Sequence, residues 1–198
     1  INLATGLSVD IEENIPRGIR NQNAFGVIIG IENYVNTNSV PFAERDANFM
    51  KEYFKNTLGI PEYNILSLIN QQATLSAIDY LFGEGGRLTG RVRDTQPDIY
   101  LYYAGHGVPD MTTQKAYLVP NDGRLENIQR SCYPLDRLYA NLESIPHNSI
   151  TVMIDACFSG STRDDGTLFE SGRAIGLMVE APQPGQNMNV FSASQPSQ

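Results

Sequence analysis

Residues Ala24-Phe25-Gly26-Val27-Ile28-Ile29-Gly30-Ile31 form an unbroken apolar run of strand length. A membrane helix takes about 20 such residues, so this run is too short to be one. A half-exposed strand would alternate apolar with polar, and this run does not. It therefore reads as a strand buried on both faces. Such a strand needs a layer above and a layer below it. The following segments supply them. Ala43, Ala47, Met50 and Phe54 lie on one face of a helix over Phe42–Lys55, ended by Gly59 and Pro61. Asn64–Ile69 reads as a second strand. Leu75, Ile78 and Leu81 mark a helix over Ala73–Phe82, broken by Gly83, Gly85 and Gly86. Asp98–Tyr103, Ser149–Ile154 and Asn187–Ser192 are three more strands, Lys115–Val119 a short one, and Pro134–Leu142 a short helix. Strands separated by helices imply an α/β chain with a mainly parallel central sheet and helices on both faces. Ligands of such sheets gather at the carboxyl ends of the strands.

Composition narrows the function classes. The 198 residues are 41% hydrophobic and 18% charged, which suits one globular domain and not a disordered chain. The net charge of −8 argues against nucleic acid as a partner, because phosphate recognition calls for a basic surface. No membrane partner is expected either. No signal peptide is visible, and the start at Ile1 leaves room for an upstream segment already removed. A cytoplasmic location is the default, with an extracytoplasmic one left open. Residues 1–22 read as a polar lead-in arm and 23–198 as the domain. Two cysteines, Cys132 and Cys157, are too few for a disulfide framework. Two histidines, His106 and His147, are too few for a zinc site of usual spacing.

The third strand runs into Ala104-Gly105-His106-Gly107, and the fourth into Asp155-Ala156-Cys157-Phe158-Ser159-Gly160. Each presents a reactive side chain at a strand end, with glycine opening the backbone to a ligand. Alone, a cysteine in such a place is usually core and a histidine usually a polar surface group. Together they point to nucleophilic catalysis. A free thiol is only a few per cent thiolate at neutral pH, so it needs a base. An imidazole supplies one and later protonates the leaving group. The backbone N–H groups of Gly107 and Cys157 are candidate donors to an oxyanion. Cys132 and the tyrosines at 100, 102 and 103 read as structural, and His147, after Pro146 in a loop, as a surface group.

The stretches Tyr102-Tyr103-Ala104-Gly105-His106-Gly107 and Asp155-Ala156-Cys157-Phe158-Ser159-Gly160 resemble the histidine and cysteine motifs of the caspase–metacaspase clan. Their spacing of 51 positions resembles the roughly 50 of caspases. Phe25–Ile31 is similar to the first strand of that clan, and Phe42–Ala47 to the segment after it. The resemblance covers Ala24 to Ser192 and is nearest to the bacterial metacaspase-like proteins called orthocaspases. It implies a three-layer caspase-like sandwich and a cysteine endopeptidase with a Cys157/His106 dyad and no cofactor in the chemistry.

The resemblance also bears on substrate and control. Where true caspases have Gln two positions before the nucleophile, this chain has Asp155, and Asp46 matches a second pocket acid. Two carboxylates would favour Arg or Lys before the scissile bond and repel Asp. The plainer alternative makes Asp46 a helix-face charge and Asp155 a turn cap. Ala43 and Ala104 depart from residues common in eukaryotic metacaspases. Asp122 and Asp164 match ligands of the calcium site some relatives carry, though the adjacent acidic pair is missing, with Ser131-Cys132 in its place. Self-processing after Arg163 or Arg173 is a further expectation. So is a partner small-subunit fragment, since the family's sheet continues past the fifth strand. The competing reading is a caspase-fold scaffold or binding module without activity; a flavodoxin-like nucleotide binder lacks any phosphate motif.

Overall fold

A computed structural model of the chain describes residues 14–92, 95–158 and 183–193. In chain order the elements are β1 (Ala24–Gly30), α1 (Ala43–Asn56), β2 (Ile65–Ile69), α2 (Leu75–Phe82), α3 (Arg87–Val92), β3 (Asp98–Ala104), β4 (Gly107–Pro109), β5 (Ala116–Leu118), α4 (Ile128–Ser131), β6 (Tyr133–Pro134), α5 (Leu135–Ser144), β7 (Ser149–Asp155) and β8 (Met188–Ser192). The expected strands and helices form at their expected places, within two residues at each end. Helices α3 and α4 and strands β4 and β6 are additions. Gly90 interrupts the apolar pattern of α3, and β4 and β6 are too short to show a period.

The central sheet runs β2-β1-β3-β7-β8, and every pairing is parallel. The apolar run of β1 is buried along its whole length, as its continuity demands. Alternate residues separate the two faces. Phe25, Val27 and Ile29 of β1, Ile99, Leu101 and Tyr103 of β3, and Ile150, Val152 and Ile154 of β7 pack with α2, α3 and α5. Ala24 and Ile28 of β1 and Tyr102 and Ala104 of β3 pack with Ala43, Ala47 and Phe54 of α1. Helices therefore cover both faces, which makes the three-layer sandwich. No helix among the described residues is long and apolar enough to cross a membrane.

Glycine sets how closely α1 rides on the sheet. A Cβ on Gly30 would fall 2.3 Å from the Ala47 Cβ, and one on Gly26 would fall 2.8 Å from the Phe54 ring. The described part of the lead-in arm is fastened to the far end of α1: the Gly18 N–H donates to Asn56 O and the Thr57 hydroxyl to Pro16 O. A second sheet, antiparallel in the order β4-β5-β6, begins one residue after His106.

Candidate functional site

Strands β3 and β7 lie side by side and end together at the pair Ala104↔Asp155. His106 and Cys157 each follow that pair by two residues. Parallel pairing in this register is what converts 51 positions of chain into neighbourhood at one sheet edge. The Gly105 N–H reaches across to Asp155 O at 3.3 Å and continues the ladder past the strand ends. Contact persists beyond the histidine. A Cβ on Gly107 would stand 2.6 Å from the Phe158 ring and 3.1 Å from Cys157 O. Glycine at 107 is thus what lets the two loops approach. Cys157 is a free, half-buried thiol, and His106 is 6% exposed.

The histidine is held at several atoms. Its Nε2 lies 2.9 Å from Asn38 O. A carbonyl only accepts, so Nε2 is the donor in this contact. The His106 N–H donates to the Tyr34 hydroxyl at 2.7 Å, and His106 O accepts from the Tyr103 hydroxyl at 2.8 Å and from the Val119 N–H at 3.0 Å. The Tyr34 ring leans against the imidazole with centroids 4.9 Å apart. Burial pushes both phenols well above their ordinary value, so both stay protonated.

Asn38 and Tyr34 belong to the loop between β1 and α1, and sequence reasoning did not pick them out. The loop's shape comes from three asparagines. Asn70 Oδ1 accepts from the Glu32 and Asn33 N–H groups, the Asn121 side chain donates to Asn33 O, and Asn36 donates to Asp122 O and Gly123 O. A carbonyl acting through its backbone leaves no side-chain signature, and brackets from two distant segments leave no local motif.

The two expected pocket acids share a face. Asp155 pairs in register with Ala104, whose side chain lies on the α1 face, and Ala104 pairs with Gly30, on which Ala47 is seated. Asp46 stands in the first turn of α1, its N–H bonded to Phe42 O, between the sheet-contacting Ala43 and Ala47. Both acids therefore belong to the carboxyl edge of the sheet on its α1 side, and both are partly buried.

The remaining expectations fall elsewhere. Asp122 Oδ1 accepts from the Leu75 N–H at the start of α2 at 2.8 Å, and no group of three or more His, Cys, Asp or Glu gathers among the described residues. Calcium takes six to eight oxygens, and of its two expected ligands only Asp122 lies among the described residues. Asp164, Arg163, Arg173, Ser159 and Gly160 lie outside the described residues. Cys132 is buried, and that burial raises its thiol to about 11, as an inert structural cysteine requires. His147 is half-buried, not a free surface group, because Nδ1 turns back to Ile145 O at 2.7 Å. Tyr102 and Tyr103 pack in the core as expected, but Tyr103 also anchors the histidine.

A comparison with curated proteins finds no match for the chain. The family model described as the caspase domain matches residues 24–198, which takes in every strand, both loops and both strand-end motifs. A parallel sheet between two helical layers, with a histidine and a cysteine at adjoining strand ends, agrees with that match: the chain belongs to the caspase-domain family, whose fold is that of cysteine peptidases.

Proposed function

We propose that the chain is a cysteine endopeptidase in which His106 activates Cys157, and that it cuts peptide bonds after Arg or Lys. The observation that supports this most is the register pair Ala104↔Asp155, from which both reactive groups follow at equal distance. With Nε2–H committed to Asn38 O, the lone pair on Nδ1 takes the Cys157 proton. The thiolate then attacks the substrate carbonyl, forming a C–S bond and moving the π electrons onto oxygen. The Cys157 and Gly107 N–H groups donate to that oxyanion. Collapse breaks the C–N bond, and the leaving amine takes the proton from the imidazolium. Water, giving its proton back to Nδ1, cleaves the thioester and restores the thiol.

Asp46 and Asp155 form the pocket for the residue before the scissile bond. Two carboxylates on one face attract a guanidinium or ammonium and repel a carboxylate. This is the specificity of metacaspase-like proteins, not that of true caspases. Protein and peptide chains bearing Arg or Lys are the substrates, and the chain's own Arg163 and Arg173 are among the bonds it would cut. Calcium, if it binds through Asp122 and Asp164, is a regulator; every step above uses only this chain's own groups.

Peptides differing only in Arg, Lys or Asp before the cleaved bond test the reading. Cleavage of the first two, abolished by Cys157→Ala and by His106→Ala, is expected. Preference for Asp refutes the pocket, and full activity of Cys157→Ala refutes the dyad. Identical fragments from wild type and Cys157→Ala by mass spectrometry refute self-processing.

A further inference from the structure

We infer that Tyr34 and Tyr103 are positioning residues that act as a clip on the backbone of His106 and so set the place of its imidazole. This rests on the dyad reading above. Two contacts define the clip. The His106 N–H donates to Tyr34 Oη at 2.7 Å, and the Tyr103 hydroxyl donates to His106 O at 2.8 Å while also lying 3.2 Å from Val119 O.

The backbone dictates the direction of both bonds. An amide N–H only donates and a carbonyl only accepts. Tyr34 Oη therefore accepts from His106, and the Tyr103 hydroxyl donates, its proton shared between the His106 and Val119 carbonyls. The two phenols thus hold both backbone polar groups of one residue. Tyr103 is fully buried beside it and Tyr34 partly buried, and the raised pKa of each keeps its hydroxyl protonated.

The glycine between the strand and the histidine confirms how tightly the clip closes. A Cβ on Gly105 would lie 2.6 Å from Tyr34 Oη and 2.9 Å from Tyr103 Oη. The phenols occupy the space any side chain there would need. The ring of Tyr34 also leans on the imidazole, so one residue fixes both the backbone and the plane of the histidine. The two hydroxyls come from different elements, Tyr103 from β3 and Tyr34 from the loop after β1. Asn38, whose carbonyl takes the imidazole proton, lies in that same loop.

The test uses the whole chain and compares wild type, Tyr34→Phe, Tyr103→Phe, the double variant and His106→Ala. Two readouts are the steady-state constants on an arginyl peptide and the pH profile of Cys157 alkylation by iodoacetamide, mapped by mass spectrometry. Each single variant is expected to lower kcat about 10-fold with KM within twofold, short of the ~100-fold that a 1 Å misplacement of a catalytic group can cost. Each should move the alkylation profile in the same direction as His106→Ala. Because both hydroxyls hold the same residue, the double variant should lose less than the product of the two single losses. The clip is overturned if Tyr34→Phe and Tyr103→Phe lower the unfolding midpoint while leaving kcat and the alkylation profile at wild-type values, or if their effects on kcat simply multiply. Should Tyr34→Phe fail to fold, Tyr103→Phe carries the same test at the other hydroxyl. An alkylation profile unmoved by His106→Ala would instead refute the dyad, which separates that failure from failure of the clip.

Discussion

Gly30 offers the most direct test of how the fold holds the site. It closes β1, and α1 crosses directly over it. A methyl group there would stand 2.3 Å from the Ala47 Cβ and 3.0 Å from Ala43 O. Carbons in contact are about 3.5–4.0 Å apart, so in Gly30→Ala the helix must retreat by roughly 1.2–1.7 Å. Neither obstacle is the end of a flexible side chain, so local yielding gives little relief. Overpacking of a tight core costs about 1–3 kcal/mol, and this case belongs in the upper half of that range. Asp46 stands on α1 between the two contacts and moves with it. A shift of that size should lower kcat/KM on an arginyl peptide by about 10-fold or more. The chain has no tryptophan, so urea unfolding is best followed by circular dichroism. The second variant Gly30→Ala/Ala47→Gly removes the 2.3 Å clash. It adds the cost of glycine inside a helix, about 1 kcal/mol, and should recover most of the lost stability and activity. A single variant as stable and as active as wild type refutes this reasoning. So does a double variant no better than the single, because the seat of α1 on Gly30 is then not the cause.

The asparagine Asp98→Asn tests the tie between the starts of β3 and β7. The Ser149 hydroxyl, then the Asn148 side chain, hold the Asp98 carboxyl below its ordinary 3.8. A depressed carboxylate contributes stability above its unfolded pKa and loses it as pH falls through the folded one. The wild-type advantage over Asp98→Asn in urea midpoint should therefore be full at pH 6 and shrink below about pH 4; an advantage independent of pH contradicts this. Thr74→Ala removes the side chain that accepts from the Ala77 N–H at the start of α2 and should cost about 1 kcal/mol by the same assay. Iodoacetamide at pH 8 should modify Cys157 and leave Cys132 untouched until the protein unfolds, since burial holds the Cys132 thiol near 11; rapid labelling of both in the native protein would show that Cys132 is not sealed. Asp155→Asn should cut kcat/KM on arginyl peptides about 10-fold and leave alkylation of Cys157 unchanged, because the loss is of a charge in the pocket and not of the nucleophile.

Much of this protein was legible in its residues alone. The unbroken apolar run of β1 demanded burial on both faces, and the alternation of periods two and 3.6 that followed demanded a parallel sheet between helices. Glycine beside a histidine and beyond a cysteine marked His106 and Cys157 as candidates, and β3 and β7 lie side by side at the ends from which both follow. Other features were beyond reach. Helix α3 hides behind Gly90, and β4 and β6 are too short for a pattern. The Asn38 carbonyl and the phenols of Tyr34 and Tyr103 act on His106 from two segments, through a backbone atom and through side chains whose identity predicts packing equally well. Composition and spacing determine which groups are available and which faces are buried, because those depend on each residue's own solvation. Which groups meet depends on strand register and on the path of a loop, and those are settled only when the whole chain closes on itself.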